Sequence, residues 1–183
     1  ADQTSNGNNG TLINSPTWST DVPTQVCAPA NPCCGDYSLD FDGVDDDVTG
    51  TASSALDVTS TNLLTISAWV NPTILTGTSQ RVFSHTSSGG PSQQYALNID
   101  GTGNIYFLSG SPAHFEQNGG NTSPDTVSLG LWNHIAMTYD DSAVRLYLNG
   151  SMVFENFVID NFPSSDIGYF HIGQRADGAE RFY

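Results

Sequence analysis

Lysine is absent from this 183-residue chain, and four arginines stand against 19 carboxylates, for a formal net charge of −15. A chain so poor in cations has little with which to meet a phosphate backbone or an anionic bilayer. Nucleic acid and acidic membrane surfaces are excluded as partners on that ground. No apolar run approaches the length of a membrane-crossing helix, which excludes a helical span. No stretch of helix length carries a 3.6-residue apolar period, which argues against a helical fold. Glutamate is scarce: only Glu116, Glu155 and Glu180 occur, far apart in sequence. Paired-carboxylate glycosidase chemistry needs two acids across one cleft, and no glutamate-rich strand motif supplies them. His85, His114, His134 and His171 lie in no nucleophile context such as G-x-S-x-G, so no catalysis is expected. The opening residues lack the basic and apolar segments of a secretory signal. The chain is therefore expected to be already processed, or excised from something longer.

Cysteine is limited to Cys27, Cys33 and Cys34, all within CAPANPCC. Zinc would need four ligands, and no CxxC pair or nearby histidine provides them. The odd count points to one local disulfide, Cys27 with Cys33 or Cys34, and one thiol left over. A disulfide implies an oxidising compartment, hence an extracellular or cell-surface location. Three N-x-S/T sequons, at Asn9, Asn121 and Asn149, are candidate glycosylation sites in that setting. Sixteen of the acids are Asp. Their abundance reads as surface solubility, as adaptation to salt, or as the binding of a hard cation; the three can coexist.

The size suits one domain over 1–183, with a loop-rich, cysteine-bearing lead-in over 1–35 and strands over 36–183. The apolar fraction of 37% is enough for a packed core. Tyr37, Leu39 and Phe41 alternate with polar residues, and Ile66, Ala68 and Val70 do the same. Tyr95 to Ile99, the turn Asp100-Gly101-Thr102-Gly103 and Ile105 to Leu108 form a hairpin signature. In 132–158, Ile135, Met137 and Tyr139 lead through Asp140-Asp141-Ser142 to Val144, Leu146 and Leu148. Asn149-Gly150 then predicts a two-residue turn into Met152. Tyr169 to Ile172 is a last strand. Short strands separated by Gly, Asn, Asp and Pro predict an all-β fold, an antiparallel two-sheet sandwich or jelly roll.

Asp40, Asp42, Asp45, Asp46 and Asp47 crowd five carboxylates into eight residues. Asp40 and Asp42 share one face of a strand, and Gly43 permits a turn that returns Asp45 and Asp46 toward Asp42. Such a cluster is either a solvated acidic turn or a seat for calcium, whose oxygen ligands would relieve the repulsion. Asp42, Asp45 and Asp46 are the expected ligands. Trp69, on a strand, is either a sugar-stacking platform on the concave sheet or core or rim packing. Trp18, near Pro16, is expected to plug one end of the sandwich. His114 and Phe115 fall in a long polar loop, 109–128, of the kind that carries recognition.

Several strings, in order, resemble one family: SNGNNGTLINSPTW, SLDFDGVDDDV, LLTISAWVNP, LWNHIAMTYDD, VRLYLNGSMV and FHIGQRADG. They are similar to laminin-G-like, concanavalin A-like jelly-roll domains. The resemblance implies a structural Ca²⁺ at the acidic turn, with Asp2 and Asn6 of the Asn/Gly-rich segment as further oxygen donors. It also implies a first and a last strand that this chain lacks, so either a larger polypeptide or another chain would provide them. Its cysteine-bearing insert, at about 22–35, departs from the family pattern. The function implied is a non-catalytic extracellular module that binds a glycan or a cell-surface protein. The alternative is a structural subunit of a filament, sheath or virion surface, built by self-association through shared strands.

Overall fold

A computed structural model describes residues 4–23, 37–87, 93–109, 122–157, 168–174, 178 and 181–183. Thirteen strands are described: β1 (Thr11–Ile13), β2 (Thr17–Ser19), β3 (Ser38–Asp40), β4 (Asp47–Thr51), β5 (Leu63–Val70), β6 (Gln80–Thr86), β7 (Gln93–Ile99), β8 (Asn104–Ser109), β9 (Thr122–Thr126), β10 (Asn133–Asp140), β11 (Ala143–Leu148), β12 (Ser151–Phe157) and β13 (Tyr169–Ile172). One 3₁₀ turn, Ser54–Leu56, is capped by the Ser53 hydroxyl. All pairings are antiparallel. One sheet runs β1-β4-β13-β6-β7-β8-β9, a second runs β12-β11-β10-β5, and β2 with β3 makes a separate two-stranded ribbon.

The period-two pattern explains the layering. On β10 the side chains of Ile135, Met137 and Tyr139 are buried, and on β11 so are Val144, Leu146 and Leu148. They meet Tyr95, Leu97, Ile99, Ile105 and Phe107 of the larger sheet in one apolar core. Burial of this kind stabilises by about 25 cal/mol per Å² of apolar surface removed from water. Asn149 and Gly150 both have positive φ, 51° and 85°. That is the type I′ geometry whose twist matches antiparallel strands. The Asp100 turn is held by its own carboxylate, which accepts from the Thr102 and Asn104 amides at 2.8 and 3.0 Å.

Several strands differ from the sequence reading: β4 was not expected, and β9 (Thr122–Thr126) falls inside the stretch read as a loop over 109–128. The lead-in contains β1 and β2, and Trp18 on β2 is 65% exposed rather than a plug. β6 carries no clear alternation because it is buried on both faces: polar Gln80, Arg81, Ser84, His85 and Thr86 are all inaccessible to solvent.

Candidate functional site

Residues 42–46 form a tight acidic corner. Gly43 sits at φ 71°, with the Tyr183 ring packed on its Cα side. This left-handed step folds the chain back on itself. The Val44 amide then donates to Asp42 Oδ1 at 2.7 Å, and the Asp42 amide donates to Asp46 Oδ2 at 3.0 Å. Carboxylate oxygens of Asp42, Asp45 and Asp46 lie within 4.8 Å of one another. Asp46 is buried, whereas Asp42 and Asp45 face solvent. The donor set is all oxygen, which suits a hard divalent cation and not zinc. Asp42 and Asp46 each accept from the turn's backbone through one carboxylate oxygen, Oδ1 and Oδ2 respectively.

The remaining expected donors stand elsewhere. Asp40 lies on β3, outside this group of three. Asn6 is exposed in a turn where its amide donates to Thr4 Oγ1 at 3.2 Å. From the N-terminal part it is Asn14 that reaches the corner, donating from Nδ2 to the Asp45 carbonyl at 2.9 Å. Asp2, Cys27, Cys33, Cys34, His114, Phe115 and Asn121 lie outside the described residues. Asn9 and Asn149 are both exposed, and Asn149 Oδ1 accepts from the His134 amide at 2.9 Å.

A second constellation occupies the outer face of the four-stranded sheet. On β5, Leu64, Ile66 and Ala68 pack on the core, so Thr65, Ser67 and Trp69 point the other way. The register sets Trp69 against His134, Ser67 against Ala136 and Thr65 against Thr138. Further rows pair Ala136 with Tyr147, Thr138 with Arg145 and Arg145 with Glu155. Trp69 is 42% exposed, and its ring centroid lies 5.2 Å from that of His134 at a 56° tilt. The result is an aromatic shelf beside a floor of small and hydroxyl side chains. At the far side Arg145 is clamped between Asp140 at 2.5 Å and Glu155 at 2.6 Å. The Ser142 hydroxyl, with Arg145 and the Ala143 amide, holds the Asp140 carboxyl well below the usual carboxylate range. Asp140 is thus held as an anion, which does not suit it for donating a proton near neutral pH.

Sequence reading named only Trp69 on this face. His134, Tyr147 and Arg145 come from other strands, and only the register brings them together.

A family model described as the concanavalin A-like lectin/glucanases superfamily matches residues 42–183. Among solved structures, domain 4 of AbnA, an extracellular GH43 arabinanase from Geobacillus stearothermophilus in complex with arabinotriose, is similar with a TM-score of 0.59. The identity is 17%, covering 90% of this chain and 72% of that one. Trypanosoma rangeli sialidase in complex with the inhibitor DANA is similar with a TM-score of 0.54 and 18% identity. That match covers 80% of this chain but only 24% of the sialidase. At these identities the likeness is one of fold. A search of the curated proteins finds no match.

Proposed function

The chain belongs to the concanavalin A-like lectin/glucanase superfamily, and from that premise we propose that it is a non-catalytic, extracellular glycan-binding module, stabilised by calcium at its acidic corner. The observation that carries the reading is the exposed Trp69–His134 shelf beside Ser67, Thr65 and Thr138. An indole face takes the apolar face of a sugar ring, and flanking hydroxyls take its polar edge. That a similar domain is described in complex with arabinotriose agrees with this use of the fold.

The charge narrows the ligand. Arg81 is buried and Arg145 is matched by two carboxylates, in a chain of net charge −15. A neutral polysaccharide meets no repulsion here, whereas a polyuronate or sialylated glycan does. Affinity electrophoresis against neutral and acidic polysaccharides tests this. Retardation by at least one neutral polymer, arabinan among those tried, and by no acidic one is expected. Absence of retardation by every polymer would refute the reading.

Calcium is tested separately. Asp42, Asp45 and Asp46 would hold the ion, which would neutralise the corner and lock the turn. At about 100 times its dissociation constant, a bound ion stabilises by about 2.7 kcal/mol. Chelation should therefore lower Tm by about 5–10 °C. An unchanged melt would remove the site.

A further inference from the structure

Arg145 shares the outward face of the four-stranded sheet with Trp69, and the register fixes how far apart they stand. Trp69 lies in the row of His134. Arg145 lies in the row of Thr138 and Thr65, four residues along β5 from Trp69 and two strands away. At about 3.3 Å per residue and about 4.8 Å per strand, the two side chains are rooted about 16 Å apart. Ala136 falls midway on this diagonal, in the row that sets Ser67 on one side of it and Tyr147 on the other. It carries only a methyl group and is 9% exposed. The path from Trp69 to Arg145 therefore crosses the face at a low point.

Arg145 is also held in a particular way. Its Nε donates to Glu155 and its Nη1 to Asp140. The three residues come from three neighbouring strands, so the guanidinium is braced against the sheet. Among the described residues, neither Arg145 Nη2 nor Glu155 Oε2 has a protein partner. A braced donor beside a braced acceptor matches two neighbouring hydroxyls of a sugar, each of which can donate and accept. The charge of the pair is compensated, so it does not call for an anion.

The geometry points to a second subsite at this pair. A neutral glycan lies diagonally over β5, β10 and β11, with one ring on Trp69 and a later ring of the same chain on Arg145 and Glu155. This rests on the glycan-binding reading and narrows it to a ligand class. A span of about 16 Å is several sugar rings long, so the face takes a stretch of polysaccharide and not a mono- or disaccharide.

NMR titration tests it, with fragments of two and of eight residues cut from a neutral polysaccharide that retards the chain. The wild-type chain should bind the long fragment at least about tenfold more tightly than the short one. Arg145→Met keeps the aliphatic stem and removes the donor, and Ala136→Leu raises the floor of the path. Each should lose about tenfold on the long fragment and less than about twofold on the short one. Undiminished binding of the long fragment by either folded variant would overturn the second subsite and leave the Trp69 shelf standing. Equal losses on both fragments, as a merely structural role would give, would do the same. A chain that no neutral polysaccharide retards would overturn both readings.

Discussion

Gly43 and Gly150 both sit at positive φ, 71° and 85°, yet they differ in surroundings. A Cβ on Gly150 would meet nothing within 4 Å, whereas one on Gly43 would lie 1.9 Å from Tyr183 Cδ1. Gly150→Ala should cost only the conformational strain, about 1 kcal/mol. Gly43→Ala adds a clash and should cost about 2–3 kcal/mol while loosening the acidic corner. Urea titration of both variants checks the order, and equal losses would contradict it. The corner was legible in the sequence because its three carboxylates lie within five residues and one glycine dictates their turn. Asp100 supplies a pH test. Burial pushes its carboxyl up, but hydrogen bonds from Thr102 and Asn104 outweigh this and hold it below the usual range. A folded pKa below the unfolded one gives stability that is present above about pH 4 and lost as pH falls through the folded value. The Tm gap between the wild-type chain and Asp100→Asn should narrow below about pH 4, whatever the relief of mutual repulsion does to both curves. A gap that widens there would contradict the account.

At the scale of elements, β10, β11 and β12 were readable because one face of each is wet and the Asn149-Gly150 pair punctuates them. β6 was not, since QRVFSHT buries polar residues on both faces, His85 opposite Tyr95 on the core side and Ser84 opposite Ala96 on the other, and so shows no alternation. β9 carries Pro124 and, among the described residues, ends its sheet, the position at which a strand tolerates proline. The two methionines give a paired test of the layers. Met137 on β10 is fully buried, and Met152 on β12 is 53% exposed. Met137→Ala should cost about 2–5 kcal/mol and Met152→Ala less than about 0.5 kcal/mol in chemical denaturation. Similar losses at the two positions would mean that the sheets do not pack in this register.

At the scale of the whole molecule, the sandwich followed from short apolar alternation and from a resemblance spread along the chain. The proposed binding face did not. Trp69, His134, Tyr147 and Arg145 are scattered over about 80 positions of sequence, and only antiparallel register makes them neighbours. The central claim is that this face grips an uncharged sugar chain through its exposed indole. Quantitative affinity electrophoresis of the wild-type chain, Trp69→Ala and Trp18→Ala on one neutral polysaccharide tests it most directly. Trp18 serves as the control, since it is an exposed tryptophan on the β2–β3 ribbon and not on the four-stranded sheet. The account predicts at least about tenfold weaker binding for Trp69→Ala, near 1.4 kcal/mol, and no change for Trp18→Ala. Undiminished binding by a folded Trp69→Ala chain would contradict it.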